Sequence, residues 1–136
     1  MDLSIGAHSS RTRRVTAADV AAFAQVSGDT NPVHLDPAYA AETQFGRCIA
    51  HGMFSAALIS AVLGNDLPGP GSLYISQTLQ FKAPVYIDDE ITANVEVTAY
   101  RERSRVTTLH TTCTNQNGVL VLDGEAVVIA PKAVQQ

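Results

Sequence analysis

From Ile91 to Ala99 the chain alternates without a break. Ile91, Ala93, Val95, Val97 and Ala99 are apolar, and Thr92, Asn94, Glu96 and Thr98 between them are polar. Successive side chains of a strand point to opposite faces, so this run predicts a half-buried β-strand. Val106–Thr114, dense in Thr and Val, and Val119–Ala130 are two further β-rich runs. Asn117-Gly118 between them is a strong hairpin signal, since both residues tolerate positive φ. Leu73–Val85 supplies another strand ending near Pro84, Asp88-Asp89 marks the next turn, and Gly124 inside its run suggests a bulge.

The first half has a different period. Thr16 followed by Asp19 forms a variant capping box, and Val20, Phe23, Ala24 and Val26 make an apolar stripe that ends before Gly28. Asp36-Pro37 is an N-cap with proline at the first helical position, which predicts a short helix through about Glu42. In between, Asn31 precedes Pro32 and is pushed out of the helical region, so 28–35 is expected as an ordered turn or extended link. From Met53 to Leu63 nine of eleven residues are apolar, on all sides of the helix they would form. That pattern predicts a helix buried on most sides. Gly64 and the Pro68-Gly69-Pro70-Gly71 cluster stop it after roughly 16 Å. Helices first, then consecutive strands, argue for α+β with an antiparallel sheet. A sheet curled around the Met53–Leu63 helix satisfies both halves, which is the hot-dog architecture. No repeat, low-complexity tract or linker divides residues 1–136, so one domain is expected.

Composition narrows the function classes. The 136 residues are 46% hydrophobic and only 16% charged, a light charge load that suggests a surface covered by a partner subunit. A formal net charge of −4 lacks the basic excess of a nucleic-acid binder. The N-terminal segment has no apolar core of signal-peptide length, and Met53–Leu63 is too short to span a bilayer. Cys48 and Cys113 form no CxxC unit and no disulfide framework. A cytoplasmic protein with no membrane segment is the expectation.

The chemistry concentrates in Asp29-Thr30-Asn31-Pro32-Val33-His34-Leu35-Asp36-Pro37. An acid and an imidazole stand five residues apart on a proline-stiffened link, and acid–base work on one bound water needs two such groups held rigidly. The plainer alternative is that Asp29 caps a turn and His34 is a satisfied, partly buried histidine. The spacing of Asp29, His34 and Asp36 matches no common zinc or calcium pattern, so no metal is expected. His51-Gly52-Met53 opens the long helix. Its first N–H groups are unpaired and favour negative charge, and a glycine lets a ligand approach the backbone. A carbonyl there would be polarised, although Gly52 could equally serve only a tight entry turn, with His51 structural. Ser60, about 12 Å along the axis from Gly52, is too far to share an oxyanion hole but can line the far end of a pocket. Neither Ser55 nor Ser60 sits in a nucleophile elbow.

The string SGDTNPVHLDP followed by IAHGM resembles the MaoC-like hydratases, specifically the (R)-specific 2-enoyl-CoA hydratases. The likeness continues through LPGPGSLYISQTLQFKAPVYIDDEITANVEV and the GEAVV run, over roughly residues 12–131. The resemblance implies a hot-dog homodimer that adds water to a trans-2-enoyl thioester in fatty-acid metabolism, without a cofactor. It implies a catalytic water held between Asp29 and His34, the thioester oxygen on the Gly52 amide, and Ser60 and Leu63 along the acyl pocket. Leu63, the bulkier of that pair, is expected as the pocket floor. The substrate is expected to be an acyl-CoA. The family also contains acyl-carrier-protein dehydratases, and a hot-dog thioesterase or an idle acyl-thioester-binding module are the remaining alternatives.

Overall fold

The structure is a computed structural model and describes residues 2–132. Thr16 opens α1 (Ala17–Ser27): its side chain accepts from the Asp19 N–H, the Asp19 carboxylate accepts from the Thr16 N–H, and Gly28 closes the helix at φ 79°. The strongest tertiary anchors of α1 are Val20 and Ala24, 1% and 3% exposed. A short helix α2 (Pro32–Leu35) occupies the segment expected as a turn or extended link. Asn31 does leave the helical region, with ψ 125°, yet it does so as an N-cap whose side chain accepts from the Val33 N–H. Pro32 then starts the helix with its φ already set. Asp36-Pro37 repeats the arrangement at α3 (Pro37–Ala41), where the Asp36 side chain accepts from Ala38 and Tyr39.

The long helix α4 (Gly52–Asn65) runs against a six-stranded antiparallel sheet. The strands are β1 (His8–Arg14), β2 (Leu73–Gln77), β3 (Gln80–Phe81), β4 (Glu90–Tyr100), β5 (Val106–Thr114) and β6 (Leu120–Ile129). Their order is β1-β4-β5-β6-β2, with β3 also on β6. This is the α+β hot-dog arrangement. The alternation in β4 is realised from Ile91 to Val97: Ile91, Ala93, Val95 and Val97 are 0–1% exposed and face α4, whereas Ala99, past a shift of register between Val97 and Ala99, is exposed. β5 buries Thr107, Leu109, Thr111 and Cys113 on the same side. Its two buried threonines are satisfied, Thr107 donating to the Arg105 carbonyl at 3.2 Å and Thr111 accepting from Gln77 at 2.9 Å.

Three sequence expectations change. β1 was not foreseen, because HSSRTRR is polar on both faces and this edge strand stays largely exposed. The single strand expected over 73–85 is two short ones, both paired with β6. Gly124 pairs regularly with Thr111, and the shifts of register lie elsewhere. Its glycine is required by a close crossing instead: a Cβ there would stand 1.9 Å from the Thr78 carbonyl oxygen.

The central helix is also less enclosed than its sequence suggests. Ser55, Ile59, Val62 and Leu63 are buried against the sheet. Met53, Ala57, Ser60 and Gly64 form an opposite stripe that is exposed in the single chain. No helix among the described residues is long and apolar enough to cross a membrane.

Candidate active site

Gly28 turns the chain out of α1 and places Asp29 on the surface, with its carboxylate accepting from the Asn31 N–H at 3.2 Å. One turn of α2 then carries His34 inward until it is 9% exposed. The segment leading into α4 fixes this imidazole. Ile49 donates its N–H to the Val33 carbonyl at 3.2 Å and accepts from His34 Nδ1 at 2.6 Å. A carbonyl can only accept, so Nδ1 carries a proton, and in the neutral imidazole Nε2 is the nitrogen that keeps its lone pair. Ala50 in turn donates to the Val85 carbonyl at 2.7 Å, tying the same segment to the approach to β4.

Donor atoms of Asp29, His34 and His51 all lie within 4.8 Å of one another. One water can span such a gap between Asp29 and His34 with two hydrogen bonds of about 2.8 Å. The three residues also have the type and number of ligands that zinc uses. The ring geometry opposes that use. His34 and His51 are stacked, centroids 3.9 Å apart and planes 27° apart. Their in-plane lone pairs therefore run side by side and do not converge on a point about 2.1 Å from each. Asp36 is occupied as the cap of α3 and is not in the cluster.

Gly52 is the first residue of α4, where backbone N–H groups lack helical acceptors. It lines a cavity of about 440 Å³ together with His34, Ser55, Phe81 and Lys82. The Phe81 ring lies over its Cα, and a Cβ at this position would meet Cε1 at 2.7 Å. A side chain at position 52 would have to displace the Phe81 ring, which is 53% exposed. Ser55, one turn further on, is 2% exposed with a hydroxyl that has no hydrogen-bond partner among the described residues.

On the other side of Met53 opens a predominantly apolar groove of about 510 Å³ between α4 and the β2 edge. Phe23, Ala56, Ala57, Ser60, Ile75 and Leu79 are among its walls. This explains why α4 is apolar all round: the face turned away from the sheet lines the groove. Ser60, expected along the acyl pocket, is on the wall of this groove, whereas Leu63, expected with it, is 2% exposed, part of the main core and not among the groove residues. A three-residue step leaves the two side chains about 60° apart around the helix axis, and here the boundary between groove and core falls between them. Met53, Phe23 and Ile75 were not singled out by the sequence. The complete apolar circumference of α4 was the signal available for Met53, and nothing local pointed to the other two.

The MaoC like domain family model matches residues 5–118. The chain belongs to the MaoC-like family. It is 53% identical over 129 residues to the (R)-specific enoyl-CoA hydratase of Aeromonas caviae, covering 95% of this chain and 96% of that protein. It is 49% identical over 131 residues to a 3-hydroxybutyryl-CoA dehydratase of Methylorubrum extorquens, covering 96% and 83%. The solved structure of an (R)-hydratase from A. caviae involved in PHA biosynthesis superposes with a TM-score of 0.92, covering 95% of this chain and 98% of that one. Both named activities add or remove water at a thioester-activated carbon pair, the chemistry that an acid–imidazole pair beside a helix N-terminus can serve.

Proposed function

We propose that the chain is an (R)-specific enoyl-CoA hydratase, a hydro-lyase that adds water to trans-2-enoyl-CoA to give (R)-3-hydroxyacyl-CoA. The observation that carries this is the Asp29–His34 pair, within one water of each other and fixed in tautomer, in a MaoC-like chain. The pair holds the water and removes a proton as its oxygen attacks C3. The electrons of the C2=C3 bond shift toward the thioester, and the Gly52 N–H meets the charge developing on the thioester oxygen. A proton returned by the pair to C2 completes the addition. In this reading the apolar groove beside Ser60 receives the acyl tail.

A homodimer is part of the proposal. β2 ends the sheet, and no other strand among the described residues pairs with its outer edge. Leu73, Tyr74 and Ile75 on it are 58%, 38% and 53% exposed, the kind of apolar edge that a soluble chain normally covers. Both cysteines are unbridged, which fits a reducing compartment such as the cytoplasm.

Incubation with crotonyl-CoA tests the activity. Loss of the enoyl absorbance without release of free thiol, and a 3-hydroxybutyryl product of (R) configuration, are expected. Thiol release would identify a thioesterase, no change an idle binding module, and an (S) product a different group of hydratases. Matched acyl-carrier-protein and CoA substrates decide the carrier, with higher kcat/KM expected for CoA.

A further inference from the structure

His51 stands between the two candidate catalytic residues and carries no part of the mechanism above. Its ring is 3% exposed. Nε2 donates to the backbone carbonyl of Asp29 at 3.0 Å, across 22 residues of chain. One face of the ring stacks on His34 with centroids 3.9 Å apart, and Phe23 packs against it at 4.9 Å and 58°. His51 is also the N-cap of α4, so the next residue is Gly52. It makes no capping hydrogen bond of its own, and its Nδ1 is buried with no hydrogen-bond partner among the described residues. Its one N–H contact in the site goes to the Asp29 loop and not to its own helix.

We propose that His51 is the positioning residue of the site, holding the Asp29 backbone, the His34 ring and the Gly52 amide in one register. The Asp29 loop needs such a tie. Asp29 is exposed, and its side chain is held locally by the Asn31 N–H, two residues away. The His51 bond supplies the long-range link, and it fixes the carboxylate relative to the helix that presents Gly52. Stacking on His34 restrains the second member of the pair through the same ring. A shift of about 1 Å between a water-holding pair and the bound carbonyl suffices to slow chemistry on the order of 100-fold with little change in binding. In this role His51 acts through Asp29 and His34, its N–H being taken up by the Asp29 carbonyl.

The inference rests on the hydratase reading, and two substitutions test it on the full-length protein. His51→Phe keeps a flat ring against His34 and Phe23 but removes the N–H that Asp29 accepts from. His51→Gln gives up the stack but can place an N–H near the same carbonyl. With crotonyl-CoA, His51→Phe should lower kcat by about 10- to 100-fold and change KM by less than about threefold. His51→Gln should recover kcat to within about fivefold of wild type. Rates are expressed per folded molecule, from circular dichroism at the assay temperature. Wild-type kcat in both variants overturns the inference. So does an equal loss in both, or a loss that vanishes on correction for the folded fraction. A wild-type protein that does not hydrate crotonyl-CoA overturns the hydratase reading instead, so the two failures are distinct.

Discussion

Asp29 and His34 owe their pairing to two local devices, a left-handed Gly28 that ends α1 and a proline-initiated turn that swings His34 inward. Each side chain also has a local bond, Asp29 accepting from the Asn31 N–H and His34 Nδ1 donating to the Ile49 carbonyl, and His34 Nε2 is left over. Asp29→Asn and His34→Gln should each keep the melting temperature near wild type and lower the hydration rate by at least ~100-fold. A rate within a few-fold of wild type in either variant would make that residue structural. The groove makes a second residue-scale prediction. Ser60 lines it and Leu63 sits in the core. Ser60→Leu should therefore lower the ratio of kcat/KM for an eight-carbon over a four-carbon enoyl-CoA. Leu63→Ala should cost about 2–5 kcal/mol in a denaturant melt, the usual price of emptying a packed site. If Leu63→Ala instead raises the chain-length ratio in a well-folded protein, the tail runs toward the core and not along the groove.

Among the elements, α1 is the one whose local sequence explains it best, through the reciprocal capping box of Thr16 and Asp19. Thr16→Ala should lower stability by about 1 kcal/mol, read from chemical denaturation. Asp19 also accepts from Arg13 on β1 at 2.7 Å, and that bond holds its carboxyl below the ordinary carboxylate range against the opposing effect of burial. A depressed folded pKa means that this contribution is present above the unfolded value and is lost as pH falls through the folded one. Asp19→Asn should thus make melting temperature less sensitive to pH below about 4 than in wild type. The effect is modest, because Arg13 is 57% exposed and the pair is partly screened. β5 shows where local pattern misleads. Its buried face is Thr107, Leu109, Thr111 and Cys113, so hydrophobicity alone understates its burial. Cys113 is deep enough that burial pushes its thiol up to about 12, which leaves it poorly reactive.

For the molecule as a whole, the exposed β2 edge and the apolar groove are one problem. Tyr74 and Ile75 lie on that edge and also line the groove, so a partner covering the strand would border the groove. Leu73 is on the same strand and is not among the groove residues, which makes it the cleaner probe. Leu73→Glu should shift the protein from dimer toward monomer mass in light scattering at micromolar concentration. An unchanged dimer would put the interface on another surface. A stable dimer needs roughly 1,200–2,000 Å² of total buried area, more than β2 alone offers, so neighbouring surfaces must take part.

What the sequence determined by itself is what depends on near neighbours. The β4 alternation as far as Val97, the α1 cap and the Asp36-Pro37 start of α3 are set by side chains within a turn or a strand step, and each is legible there, whereas α4 runs through the expected stop at Gly64 to Asn65. The likeness of SGDTNPVHLDP and IAHGM to the MaoC-like family was legible too, and with it the choice of Asp29, His34 and Gly52. Even so, Asn31-Pro32 carried the same cap-and-proline signature as Asp36-Pro37 and was read only as a link, because one turn of helix leaves no periodic stripe. The rest belonged to the tertiary structure, since it turns on groups distant in the chain. β1 is a strand because β4 offers it a partner, and Gly124 is glycine because the Thr78 carbonyl crosses it. Leu63 faces the core and Ser60 the groove because the sheet takes one side of α4 and leaves the other open. His51 entered the site only when folding brought its ring onto His34 and its N–H to the carbonyl of Asp29, a meeting that local sequence has no means to record.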